Sequence, residues 1–185
     1  GYRAGDHCYG DQNVYVGYHA GYHSTGGSHN VAIGDDAGYN TTGSNNVSIG
    51  YRAGYQTYGD YENVNIGYHA GYGYSSSTCY YNVNIGSHAG RCIDNGSSNV
   101  HIGHYAGYHT YGGGYNIMIG HYAGASNRSG HDNICMGQDS GKHIYSGYDN
   151  IFMGYQAGYS ADHNSSSYVC VHNQMLGYRS GYNLR

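Results

Sequence analysis

The chain of 185 residues has no proline and no tryptophan, a single phenylalanine, and leucine only at Leu176 and Leu184. Those scarcities exclude the large mixed core of an ordinary globular domain. Lysine and arginine together number seven, scattered singly, against a net charge of -4. With no basic stripe to follow a phosphate backbone, nucleic acid is not an expected partner. No apolar run approaches the ~18 residues that span a bilayer, so no membrane span is expected. There is no signal-like leader, and the chain opens and closes inside a repeat, as a segment of something longer would. The five cysteines form no C-x-x-C pair, which leaves little support for zinc or thioredoxin-type chemistry.

What is abundant is glycine, 34 residues, and tyrosine, 27. Glycine, serine and asparagine at this density suit disorder, but strictly placed apolar residues and abundant tyrosine argue against it. The frame Asn-apolar-x-apolar-Gly-x-x-Ala-Gly, seen in full from Asn46 to Gly54 (NVSIGYRAG), begins at Asn13, Asn30, Asn46, Asn63, Asn82, Asn99, Asn116, Asn133 and Asn150, and in weaker form at Asn173. The opening GYRAG is the tail of another copy. The starts are 16 to 19 residues apart except for a last step of 23. A fixed frame with connections of changing length is the signature of a repeat array.

Within each frame the two apolar residues stand two apart, as in Val47/Ile49, Val64/Ile66 and Val100/Ile102, which is strand period in β-branched residues. The residue between them varies freely (Ala32, Ser48, Asn65, Asn84, His101, Met118, Cys135, Phe152) and is expected to point outward, with the Val/Ile pair inward. On that reading an aspartate at Ile66 breaks the stack. Two glycines in every frame exclude a helix. The recurrent Ala is expected on a second short strand facing the Val/Ile pair across a thin interior. Two β-branched side chains cannot offset the ordering of a whole coil, so coils must stack. The expected fold is therefore all-β, a parallel β-solenoid (β-roll) of about ten stacked ~17-residue coils in one array over residues 1–185. The last coil, 159–185, reads as irregular, because Gln174 falls at an expected core position and Val169/Val171 offer a competing register.

Like residues stacked on like supply several candidate features. The Asn that opens each frame, Asn13 through Asn150, is a candidate amide ladder. Tyr22, Tyr39, Tyr55, Tyr72, Tyr108, Tyr159 and Tyr182 follow the second glycine, and Tyr18, Tyr51, Tyr68, Tyr155 and Tyr178 follow the first, as candidate surface aromatic rows. His69 and His88 share one frame position and His104 and His121 another, but two imidazoles do not complete a metal site. Asp35 and Asp36 read as solvated charges. No G-x-S-x-G, regular carboxylate pair or phosphate loop is present, so neither an enzyme nor a cofactor is expected. Cys79 and Cys92, in neighbouring connections, are a possible disulfide, with unpaired thiols as the alternative. Asn-x-Ser/Thr sequons start at Asn40, Asn46, Asn95, Asn127 and Asn164. All but Asn46 lie in variable turns, which makes Asn40, Asn95, Asn127 and Asn164 glycosylation candidates.

The frames NVAIGDDAGYNTTGSN and NVSIGYRAGYQTYGDYEN resemble the head repeats of YadA-type trimeric autotransporter adhesins and similar repeats of phage and viral tail fibres. The resemblance spans about residues 1 to 182. It implies a left-handed β-roll that trimerises into a rigid attachment fibre at a cell or virion surface. The expected function is accordingly a non-enzymatic extracellular structural fibre or filament segment, possibly glycosylated, self-associating as a trimer or filament. The alternative is a host- or carbohydrate-binding adhesin or tail-fibre module, whose tyrosine rows would stack on sugar rings.

Overall fold

The computed structural model describes residues 1–73, 78–91, 95–160 and 170–183. It is a β-solenoid with one three-residue strand per coil: β1 (Val14–Val16), β2 (Val31–Ile33), β3 (Val47–Ile49), β4 (Val64–Ile66), β5 (Val83–Ile85), β6 (Val100–Ile102), β7 (Ile117–Ile119), β8 (Ile134–Met136), β9 (Ile151–Met153) and β10 (Gln174–Leu176). The ten strands form one parallel sheet in sequence order, and no described residue is helical. The register never slips: Val47 sits on Val64 and Ile49 on Ile66, and so on from coil to coil. Each strand pairs only with its sequence neighbours, because the chain returns to the same edge after every turn.

Strand period places the two faces correctly but does not say which is inside, and here the expectation is corrected. The middle residue of each strand is the buried one, with Ala32, Ser48, Asn65, Asn84, His101, Met118, Cys135 and Phe152 all at 3% exposure or less. The flanking Val and Ile side chains face outward, half-buried or exposed. The expected second strand is also absent among the described residues. The x-x-Ala-Gly segment is a turn, although it too is hydrogen-bonded from coil to coil, as in Gly54 N–H to the Ala70 carbonyl at 2.9 Å and His69 N–H to the Tyr51 carbonyl at 2.9 Å.

Three columns of side chains fill the interior. The strand-centre residue meets the frame alanine, fully buried in Ala37, Ala53, Ala70, Ala89, Ala106, Ala123 and Ala157. A third column, Ser24, Thr41, Thr57, Thr110, Asn127 and Ile144, is buried at 5% exposure or less. Composition changes along the axis. Ser48, Asn65, Asn84 and His101 make a polar interior, in which the Asn84 amide donates to Asn65 Oδ1 at 2.8 Å and His101 Nδ1 lies 2.8 Å from Asn84 Oδ1. Met118, Cys135, Ile144, Phe152, Cys170 and Met175 then make an apolar one. The glycine after the frame alanine is dictated by this interior: a Cβ at Gly158 would lie 2.6 Å from the Phe152 ring. The glycine that closes each strand stacks on its own kind, so that a Cβ at Gly50 would lie 2.6 Å from the Gly67 carbonyl oxygen.

The frame asparagines form a continuous buried ladder at the coil entrance. Asn82 Oδ1 accepts from the backbone N–H of Asn99 at 3.0 Å and from its side-chain amide at 3.1 Å, and Asn82 Nδ2 donates onward to the Gly96 carbonyl at 2.9 Å. The same bonds link Asn30 to Asn46, Asn46 to Asn63, Asn63 to Asn82, Asn99 to Asn116, Asn116 to Asn133, Asn133 to Asn150 and Asn150 to Asn173. At the first rung, Asn13 Oδ1 accepts the Asn30 backbone N–H at 2.8 Å. The weak frame at Asn173 keeps the register, with Gln174 opposite Ile151 and Met175 opposite Phe152. Gln174 faces outward and Met175 inward, so a polar residue at 174 costs the core nothing and the coil is not altered there. Val169 lies outside the described residues.

Candidate interaction surfaces

The outward sides of β1 to β10 carry the first surface. Val or Ile occupies the first strand position from β1 to β9, and Val, Ile, Met or Leu the last position throughout. Val14, Val16, Ile33, Ile117, Met153 and Leu176 are each more than a third exposed, and the others are half-buried by their neighbours in the stack. Nine steps at the usual strand spacing of about 4.8 Å make this a flat apolar stripe about 43 Å long. Contiguous apolar patches of this extent mark interaction sites on soluble proteins.

The corner that follows each strand carries the second surface, an aromatic one. Tyr22, Tyr39, Tyr55 and Tyr72 stack in succession with ring centroids 5.3, 5.0 and 5.2 Å apart. Arg91 takes the next place, with its guanidinium 5.4 Å from the Tyr72 centroid and 5.6 Å from that of Tyr108. Beyond it Lys142 lies over Tyr159, which stacks on Tyr182 at 4.9 Å. A parallel column holds Tyr51 on Tyr68 and Tyr155 on Tyr178, at 5.3 and 5.4 Å. Ring faces are therefore taken by the ring of the next coil or by a cation, and the Tyr22 and Tyr108 hydroxyls accept from Arg3 and Arg91. That arrangement does not suit the stacking of sugars on tyrosine faces.

The histidine pairs lie where their shared frame positions put them. His69 and His88 have centroids 5.4 Å apart, and the parallel His104 and His121 rings are 5.2 Å apart. Burial, with His88 next, holds His69 down to about 4, so it is neutral at pH 7. No group of three or more His, Cys, Asp or Glu among the described residues is arranged to hold a metal ion. Asp36 is not a freely solvated charge. It receives Arg52 Nε at 3.1 Å and lies 3.6 Å from His19 Nδ1, with its side chain 13% exposed.

The turn sites divide. Asn40 and Asn127 are at 8% and 0% exposure, which corrects their reading as exposed glycan acceptors. Asn46 is equally buried, as a member of the ladder. Asn95, in Asn95-Gly96-Ser97, is exposed, and Asn164 lies outside the described residues. Cys79 is buried, its N–H donating to Asp60 Oδ1 at 2.6 Å and its carbonyl accepting from Asn63 Nδ2 at 2.8 Å. Cys92 lies outside the described residues, and the Cys79–Cys92 pairing with it.

Sequence reasoning missed two buried titratable groups. Asp60 replaces the small glycine that usually precedes the frame by three residues, and desolvation raises its carboxyl to about 7. His101 is fully buried at a strand centre, and desolvation lowers it to about 3, with Nε2 left without a partner. Asp60 was legible as the charged exception in a column that is otherwise glycine or, at Cys79 and Cys170, cysteine. His101 was hidden by the inverted assignment of strand faces. No family model, no curated protein and no solved structure matches the chain. The described residues contain no helix long and apolar enough to cross a membrane.

Proposed function

We propose that the chain is a non-enzymatic structural fibre segment that self-associates through its apolar strand face, outside the cell or on a virion surface. One observation carries the reading: the outward apolar stripe runs unbroken from β1 to β9, and through Leu176 into β10, with identical register. A second copy is the natural occupant, because it offers the same flat stripe with the same axial repeat, and a face with a uniform repeat closes on itself by rotation. The likeness of the frames to adhesin and tail-fibre heads supports the extracellular placement. The occupied ring faces of the tyrosine columns favour a stiffening role for those rings over sugar stacking. Asn95 is the exposed described position at which an N-linked glycan would sit.

The test separates folding from association. Ile66→Asp combined with Ile102→Asp places two charges on the stripe, pointing away from the interior. The expected result is native β-content by circular dichroism together with loss of the oligomer in sedimentation velocity and of fibres by electron microscopy. A wild-type chain that sediments as a monomer at micromolar concentration, or a double variant that associates unchanged, rules the stripe out as the interface.

A further inference from the structure

The third surface lies in the turns of three consecutive coils. His109, Ser126 and His143 occupy one turn position, and Tyr111, Arg128 and Tyr145 another two residues on, by the 17-residue step. The backbone keeps them in register, with His109 N–H donating to the Ala125 carbonyl, Ser126 N–H to the Lys142 carbonyl and Ser129 N–H to the Tyr145 carbonyl, all at 2.9 Å. Ser126 is the small member of a column whose neighbours are histidines. Its missing ring leaves a notch of 130 Å³ lined by His109, Tyr111, Ser126, Arg128 and Tyr145.

The electrostatics of the notch are one-sided. No lining residue is acidic. The other described basic side chains all have an acceptor: Arg3 the Tyr22 hydroxyl, Arg52 Asp36, Arg91 the Tyr108 hydroxyl, Lys142 Asp139 and Arg179 the Gln156 carbonyl oxygen. Among the described residues Arg128 has only the Tyr145 ring, 5.0 Å from its guanidinium carbon, which covers one face and leaves the N–H edge available. His109 feels the same field, being lowered by burial and then by Arg91 and Arg128.

We propose that this notch binds an oxyanion, a sulfate, phosphate or carboxylate group, on the Arg128 guanidinium with the Ser126, Tyr111 and Tyr145 hydroxyls around it. Guanidinium matches such groups by its planar fork of donors, and hydroxyls supply the remaining hydrogen bonds. The notch has room for a tetrahedral anion and the edge of the sugar that carries it. The anion is either a free ion or the charged group of an acidic saccharide. The site is independent of the apolar stripe and stands whether or not the chain forms fibres.

Titration of the ¹⁵N-labelled full chain tests it, with sodium sulfate, sodium phosphate, glucuronate and a heparin-derived sulfated disaccharide at constant ionic strength. Saturable shifts are expected at the Ser126 amide and the Arg128 Nε–H. Binding should weaken at least tenfold in Arg128→Gln, vanish in Ser126→His, which restores the ring column, and persist in Arg179→Gln. In the wild-type protein, sulfate and phosphate should compete for the same shifts, a readout that needs no variant. A disaccharide that binds at least tenfold tighter than inorganic sulfate identifies an acidic glycan, and equal affinity identifies a free ion. Shifts that stay linear in concentration, or that survive unchanged in Arg128→Gln, overturn the proposal.

Discussion

At the scale of single residues, the fold depends on polar groups that are buried and satisfied. Asn99 makes ladder bonds to both neighbouring coils and donates to the Gly113 carbonyl at 3.0 Å. Asn99→Ala leaves several buried donors and acceptors without partners, and a loss of roughly 2–4 kcal/mol in denaturant unfolding is expected. Loss of less than about 0.5 kcal/mol, the usual range for surface changes, would deny the ladder its role. Asp60 and His101 give a sharper case, because their effects oppose. A carboxyl raised to about 7 binds its proton more tightly in the folded chain, so its stabilisation is full below the unfolded value near 3.8 and is lost as pH rises to 7. An imidazole lowered to about 3 resists protonation in the folded chain, so its contribution is full above 6.5 and is lost as pH falls. Between about pH 4 and 6.5 these two slopes, each about 1.4 kcal/mol per pH unit, cancel. Asp60→Asn keeps an acceptor for the Cys79 N–H and should make stability rise with pH across that window. His101→Gln keeps a donor for Asn84 and should lessen that rise, because His69, lowered to about 4, still gains stability with pH across the same window. Urea midpoints measured against pH decide the matter, and a profile for Asp60→Asn that parallels the wild type would contradict the opposition.

At the scale of the coil, each turn is closed by residues in the left-handed region that are not glycine. His69, Arg52, Tyr105 and Tyr122 at the corner, and Glu62, Tyr81, Tyr115 and Asp132 before the frame, all have φ between 52° and 61°. Among the described residues, none of the non-glycine ones with positive φ is β-branched, since Val, Ile and Thr are the side chains least tolerant of that backbone. Glu62 is exposed, so its side chain contributes little, yet Glu62→Val should cost roughly 1–2 kcal/mol while Glu62→Gly is close to neutral. Equal melting temperatures for the two variants would show that the backbone there is not constrained. This level explains how far the sequence could be read. The period-two pair and the paired glycines made the strand, the corner and the coil repeat legible, and the recurrent Asn and Ala made the ladder and the small interior column legible. The direction of the strand was not. A thin coil leaves one inward place per strand, and that place changes along the axis to suit Ala, Thr or Ile opposite, so variability marked the inside and constancy the outside. Val64 and Ile66 repeat because they meet copies of themselves along the stripe, whereas Asn65 answers to Thr57 and Asn84. The notch at Ser126 escaped notice for a related reason, since it is defined by what is missing from a column that only the stacked structure lines up.

At the scale of the whole molecule, the chain behaves as a one-dimensional array, in which most backbone bonds of a coil are made to the coil before or after it. Stability is then a sum of local terms and need not be even along the axis. Coils β3 to β6 enclose Ser48, Asn65, Asn84 and His101, whereas β7 to β9 enclose Met118, Cys135 and Phe152, with Ile144 against them. Full burial of Met118, Ile144 or Phe152 contributes roughly 1.5–3 kcal/mol each. A satisfied buried amide, with water as the competing partner, contributes roughly 1 kcal/mol. Hydrogen exchange on the native chain should therefore show the amides of Ile134 and Ile151, which bond to the Asn150 and Asn173 carbonyls at 2.8 Å, exchanging ten- to a hundredfold more slowly than those of Val47 and Val64, whose bonds to the Asn63 and Asn82 carbonyls are the same length. Since the backbone bonds match, a difference reports the interior alone. Uniform protection from β3 to β9 would mean that opening is global and that nearest-neighbour coupling outweighs interior composition. Faster exchange at β8 and β9 would mean that the polar columns of Asn and His are worth more than the apolar cluster.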